Sequence, residues 1–200
     1  MTNPQTTTGP DVLDVLITDH REVEVLFVEL ESRQGSPEHR RHLADVVIAE
    51  LVRHSIAEEM HVYPTARKAL PDGDQIAEHE ISEHADAERT MKDLESVDPS
   101  DPRFDELLTH LTRTIRHHVQ EEESDLFPRL RAAVAHEELV ELAGKVEAAK
   151  KSAPTRPHPA APDRPPANKL LAPGTGLVDR VRDALSGRPT TMTELRAKES

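Results

Sequence analysis

Two stretches decide how this chain is read: His54-Ser-Ile-Ala-Glu58-Glu59-Met-His-Val-Tyr63-Pro64 and His118-Val-Gln-Glu-Glu122-Glu123-Ser-Asp-Leu-Phe127-Pro128. Both carry His, then Glu four and five residues on, an aromatic nine on and Pro ten on, and they lie 64 residues apart. The same shift moves His20 onto His84, Ile17-Thr18-Asp19 onto Ile81-Ser82-Glu83, and Glu24 onto Glu88. His20 to His54 and His84 to His118 are both steps of 34 residues. The chain therefore repeats one helical hairpin, with a His on its first helix and His-x-x-x-Glu on its second.

The surrounding periodicity is helical. Leu13, Leu16, Ile17, His20, Val23, Phe27 and Leu30 recur at three- and four-residue steps behind Asp11 as N-cap, predicting a first helix over 12–32. Ser36-Pro37-Glu38 opens the second, with a kink expected at Pro64. The third should run from Asp74 to Ser96, and Asp101-Pro102 opens the fourth, with a kink at Pro128. A short fifth helix is expected over His136–Lys150. No alternating strand pattern competes, so the fold class is all-α: an up-down-up-down antiparallel four-helix bundle of two repeated hairpins, plus the fifth helix.

Composition sets the limits of this bundle. The 200 residues are 36% hydrophobic but 2% aromatic, with 12 His and no Cys, which excludes disulfides, thiolate metal sites and Cys nucleophiles. No apolar run reaches the roughly 18 residues of a membrane span. Residues 1–10 are polar, without a secretory signal, and read as disordered; with the absence of Cys this points to the cytoplasm. Residues 11–150 form the bundle domain, and residues 1–150 hold 16 Lys and Arg against 33 Asp and Glu, a net of −17 that argues against binding nucleic acid. The remaining 50 residues carry +4. Seven prolines between Pro154 and Pro173 make 151–176 a disordered Pro-rich linker. In the tail, 177–200, Leu177, Val178, Val181, Ala184 and Leu185 predict a short amphipathic helix that frays, docks weakly or meets a protein partner.

The repeated positions are the wrong ones for a plain core. His20, His54, His84 and His118 fall within the apolar stripes, and Glu58 and Glu122 lie one turn from their His on the same face. An ionised carboxylate buried without a partner costs several kcal/mol or neutralises. Two acids and four imidazoles converging on a bundle interior call for a cation. Nitrogen and carboxylate donors without sulfur suit iron first, with manganese or zinc behind it, and two ions with Glu58 and Glu122 as bridges. Glu24, Glu88 and Glu50, each one turn from a His, are further ligands, acceptors for an imidazole N–H, or solvated. His39, His42, His110, His136 and His158 read as exposed, and His61 as a candidate for the cavity mouth. His79 lies roughly 140° around its helix from His84, so the two cannot share a site. His117 offers a rival register that the repeat rejects. Neither a Ser/His/Asp arrangement nor a phosphate-cradling Gly loop is present.

On these residues the chain resembles the hemerythrin family, in its broader branch of HHE cation-binding domains, over about residues 11 to 145. The resemblance implies a non-haem diiron centre in a four-helix bundle, ligated by His20, His54, Glu58, His84, His118 and Glu122, used for oxygen carriage or sensing, nitric oxide or peroxide chemistry, or iron handling. Oxygen-carrying hemerythrins have His-x-x-x-His on the third helix and His-x-x-x-x-Asp on the fourth. Here the third has His84 with Glu88, and the fourth has the shorter His118 to Glu122 step. Fewer imidazoles and more carboxylates favour ferric iron, against reversible oxygen carriage. The expectation is a diiron protein that senses or reacts with peroxide, O2 or NO, catalase-like turnover included. The alternatives are an iron store or sensor without turnover, and a metal-free interaction bundle.

Overall fold

The computed structural model describes residues 9–161 and 167–199, so residues 1–8 of the expected disordered N-terminus and residues 162–166 of the expected linker lie outside the described residues. Helix α1 (Val12–Glu31) starts where the Asp11 carboxylate accepts the N–H groups of Leu13 and Asp14, and Asp14 answers to the Asp11 N–H. Helix α2 (Pro37–Ala57) starts from Ser36, whose hydroxyl accepts the His39 N–H. Helices α4 (Gly73–Ser96) and α5 (Pro102–Glu121) follow, the latter capped by Asp101. No described helix is long and apolar enough to cross a membrane.

At the expected kinks the chain does something more specific than bend. Helix α2 opens into a π turn over Glu58–Val62 before α3 (Tyr63–Ala69), and α5 does the same over Glu122–Leu126 before α6 (Phe127–Ala133). Pro64 and Pro128 have no N–H, and their rings would strike the carbonyl four residues back in an unbroken α-helix. Widening the preceding turn removes that clash, so the Tyr63 N–H reaches the Glu58 carbonyl and the Phe127 N–H that of Glu122. Helix α7 (His136–Ser152) packs across α1 and α2.

Two apolar cores fill the bundle. One, beside the π turns, contains Leu13, Leu16, Tyr63, Phe127 and Leu130 and is closed by Leu139, Leu142 and Val146 of α7. The other, at the far end, contains Phe27, Leu30, Leu43, Val47, Met91, Leu94, Phe104 and Leu111. The repeated His and Glu residues form a buried polar layer of their own, in neither core.

The tail differs from its expectation. Helix α8 (Ala167–Ser186) begins ten residues before Leu177, inside the stretch read as linker, and α9 (Met192–Glu199) places Leu195 in the far core. Helix α8 also packs with its polar face inward: Asp179 and Asp183 are buried, whereas Leu177, Val178, Val181 and Leu185 are exposed. Charge holds it there. Arg188 lies 3.2 Å from Asp45, 3.4 Å from Asp183 and 3.6 Å from Glu95, and Arg156 lies 2.6 Å from Asp183 and 3.2 Å from Glu95. Gly176 permits the approach, since a Cβ there would meet the Ser152 carbonyl oxygen at 2.3 Å. His42, read as exposed, is buried against the Lys198 ammonium at 2.9 Å; His158 is half-buried on Asp179, and His39 half-buried facing Glu29.

Candidate metal centre

The four repeated imidazoles meet as two pairs. His20 Nε2 lies 3.3 Å from His54 Nε2, and His84 Nε2 lies 3.2 Å from His118 Nε2. Each fully buried carboxylate reaches one member of both pairs: Glu58 Oε2 is 3.2 Å from His54 Nε2 and 3.5 Å from His84 Nε2, and Glu122 Oε2 is 3.4 Å from His20 Nε2 and 3.6 Å from His118 Nε2. The donor atoms of His20, His54, Glu58 and Glu122 fall within 4.8 Å of one another, as do those of Glu58, His84 and His118.

Every imidazole is oriented by an acid. Nδ1 of His20 lies 2.8 Å from Glu123, that of His54 3.2 Å from Asp19, that of His84 3.1 Å from Glu59, and that of His118 2.9 Å from Glu83 and 3.0 Å from Glu80. A carboxylate only accepts, so Nδ1 carries the proton and Nε2 presents its lone pair inward. Arg21 in turn grips Glu123, and Lys150 holds Asp19 at 2.5 Å. Phe127 stacks on His20, and Tyr63 enters the centre itself, with Oη 3.0 Å from His84 Nε2, 3.2 Å from Glu122 and 3.4 Å from Glu58.

This arrangement fits a cation. Two inward lone pairs 3.2–3.3 Å apart repel, yet that is about the separation of two donors held at roughly 2.1 Å on one ion. One oxygen each of Glu58 and Glu122 is buried without a hydrogen-bond partner. In the metal-free state protons must take the cation's place. Against the cost of burial, Glu58 and Asp19 raise His54 to about 10, and Glu122 raises His118 well above its ordinary value. Burial and His118 push His84 well down. Burial and Glu122 push Glu58 up, while His118 and His20 overcome burial to hold Glu122 at about 2.

A pH dependence follows for the metal-free protein. His54 binds its proton more tightly folded than unfolded, so its contribution is complete below 6.5 and is lost as pH rises through about 10. Thermal melts with a chelator present should show the melting temperature falling between those values; a flat or rising trend would contradict the assignment. Metal binding has the opposite sign, because the ion displaces that proton.

A cavity of about 260 Å³ touches all four imidazoles; Val23, Phe27, Leu51, Ile115 and Val119 form its apolar wall, and Asp19, Arg21, Glu24, Ser55 and Arg116 complete its lining. His61 is half-buried and does not line it. Glu24 and Glu88 take no part in the convergence: Glu24 pairs with Arg116 at 2.8 Å on the surface, and Glu88 accepts the His158 backbone N–H. Glu50 pairs with Arg53. Spacing pointed to neither Tyr63 nor the orienting acids, although Asp19 and Glu83, like Glu59 and Glu123, obey the same 64-residue repeat.

The sequence profile of the Hemerythrin HHE cation binding domain matches residues 11–130. An uncharacterized hemerythrin-like protein of Schizosaccharomyces pombe is 28% identical over 179 residues, covering 89% of this chain and 88% of that one. A DNA nickase of Nostoc is 29% identical over 140 residues, covering 70% of this chain and 39% of the nickase. The crystal structure of a Hemerythrin HHE cation binding domain-containing protein from Mycobacterium kansasii shares the fold, with a TM-score of 0.62 at 22% identity, over 72% of this chain and 86% of that one. With the profile spanning more than half its length and His/Glu clusters buried at its centre, the chain belongs to the hemerythrin HHE cation-binding family, and its bundle is a metal-binding domain.

Proposed function

We propose that the bundle holds two iron ions, for which His20, His54, His84, His118, Glu58 and Glu122 would supply the ligands, and that it senses or reacts with peroxide, O2 or NO. The observation that carries this reading is the position of each carboxylate against one imidazole of either pair. Bound there, iron supplies redox chemistry toward those small molecules. The chain supplies the rest. The cavity gives a small ligand room beside the imidazoles, with an apolar wall of Val23, Phe27, Leu51, Ile115 and Val119. Burial, with Glu122 and Glu58 beside it, holds the Tyr63 hydroxyl protonated, so a proton is kept at Tyr63 Oη among both carboxylates. The oriented Nδ1 groups keep the imidazoles from turning away.

The test is direct. Iron-loaded protein should change its visible spectrum with peroxide, O2 or NO, and consume peroxide if turnover is catalase-like; absence of any response defeats the redox reading. A second reading, iron binding as a store or sensor, is favoured by one contact. Pro154, Arg156 and His158 of the tail share a small cavity with His84 and its orienting acid Glu59, so the tail lies where occupancy would be felt.

A further inference from the structure

On the second hairpin a line of imidazole and carboxylate side chains joins the buried centre to solvent, where the first hairpin has Asp19 closed off by Lys150. Where α4 packs against α5, His79 Nε2 lies 3.0 Å from Glu121 Oε2 and 3.8 Å from Glu83 Oε1, and His117 Nε2 lies 3.7 Å from Glu121 Oε1. Donors on one first-row ion at roughly 2.1 Å stand about 3.0–3.4 Å apart, a separation that small rotations of these side chains reach. Glu83 also faces inward, accepting from His118 Nδ1 at 2.9 Å. Behind it is Glu80, 3% exposed, with Oε2 3.0 Å from the same nitrogen and without a hydrogen-bond partner of its own. The donor atoms of Glu80, His118 and Glu122 then gather within 4.8 Å of one another.

The repeat supplies an internal control. Where the second hairpin has His79, Glu80, His117 and Glu121, the first has Val15, Leu16, Arg53 and Ala57. Leu16 is wholly buried, and Asp19, the counterpart of Glu83, is engaged by Lys150 of α7. Packing at this level is therefore satisfied by leucine, and a buried carboxylate oxygen left without a donor costs free energy. A cation in transit would meet such an oxygen as a ligand.

We propose that His79, His117, Glu83 and Glu121 form a surface site for a divalent first-row cation such as ferrous iron, and that an ion captured there passes by Glu83 and Glu80 to the buried centre. The delivery role rests on the reading of that centre as a metal site. The full chain, stripped of metal, is titrated with Co2+ under equilibrium dialysis, and filling of the buried centre is followed by Co2+ absorption. Native protein should bind one ion per chain more than His79→Val/Glu121→Ala, which installs first-hairpin residues, and should fill its buried centre at least about tenfold faster. Glu80→Leu should slow filling while retaining the surface ion, and His54→Ala should lose buried ions while retaining it. Equal Co2+ per chain in native protein and the double variant overturns the site. A lost ion with unchanged filling rate overturns delivery. Uptake of the surface ion alone by native protein overturns the buried-centre reading, and delivery with it, but leaves the surface site standing.

Discussion

His118→Ala is expected to strip the protein of most of its buried metal, with affinity down by at least about 100-fold. The imidazole does three things at once: it faces His84 Nε2 at 3.2 Å, lies 3.6 Å from Glu122, and gives its Nδ1 proton to Glu83 on α4. Alanine removes a donor from one pair and leaves Glu80 and Glu83 without their imidazole. Metal content per chain, counted by mass spectrometry on protein made in iron-replete medium, should fall from two irons toward one or none, and His54→Ala should do the same from the other pair. His110→Ala, on an exposed residue whose neighbour is Arg113, serves as the control that keeps its metal. Circular dichroism on each variant separates ligand loss from unfolding. Metal content unchanged in both ligand variants would show the assignment to be wrong.

Arg188→Ala should destabilise the protein by about 3–5 kcal/mol, the cost of removing one partner from a buried charge cluster. The Arg188 side chain is 5% exposed and faces Asp45, Asp183 and Glu95, and it also donates to the Thr155 and Asp45 carbonyls. Burial already pushes Asp45 up even with Arg188 beside it, so without the arginine that carboxylate must take up a proton or find water. The tail is where the strain is relieved, and protease cleavage near 154–161 should appear before the bundle melts. Arg188→Lys should restore only part of the loss, because an ammonium cannot fork among three acids. A change below about 1 kcal/mol in a denaturant curve would show that the cluster does not hold the tail.

Much of the candidate site was legible because helical spacing converts sequence distance into a shared face. His54 with Glu58, and His118 with Glu122, are one turn apart whatever surrounds them. The orienting acids escaped the same logic. Asp19 and Glu83 are neighbours in sequence of His20 and His84, and so point about 100° away from them; each serves the imidazole of the next helix, His54 and His118. Glu59 and Glu123 likewise reach across hairpins, to His84 and His20. The packing of the tail was not legible for a different reason. A proline-rich segment poor in branched residues cannot build a core, but this one is held against acids of the bundle by its own Arg156 and by Arg188 beyond it, and composition does not record which acids are within reach.

The sequence by itself determined the helical class, the two-hairpin repeat, the caps that start the helices and the six side chains that face inward, because all of these depend on phase along a single helix. Tertiary structure decided how those side chains meet. The π turns bring Tyr63 over Glu58, where an unbroken α-helix would carry it about 140° away. The packing of four helices sets each carboxylate against an imidazole of both pairs, and turns Glu24 to Arg116 and Glu88 to the tail. Phase within a helix is a local property. The rotation of one helix against another, and the phase slip across a widened turn, are set only when the chain is packed.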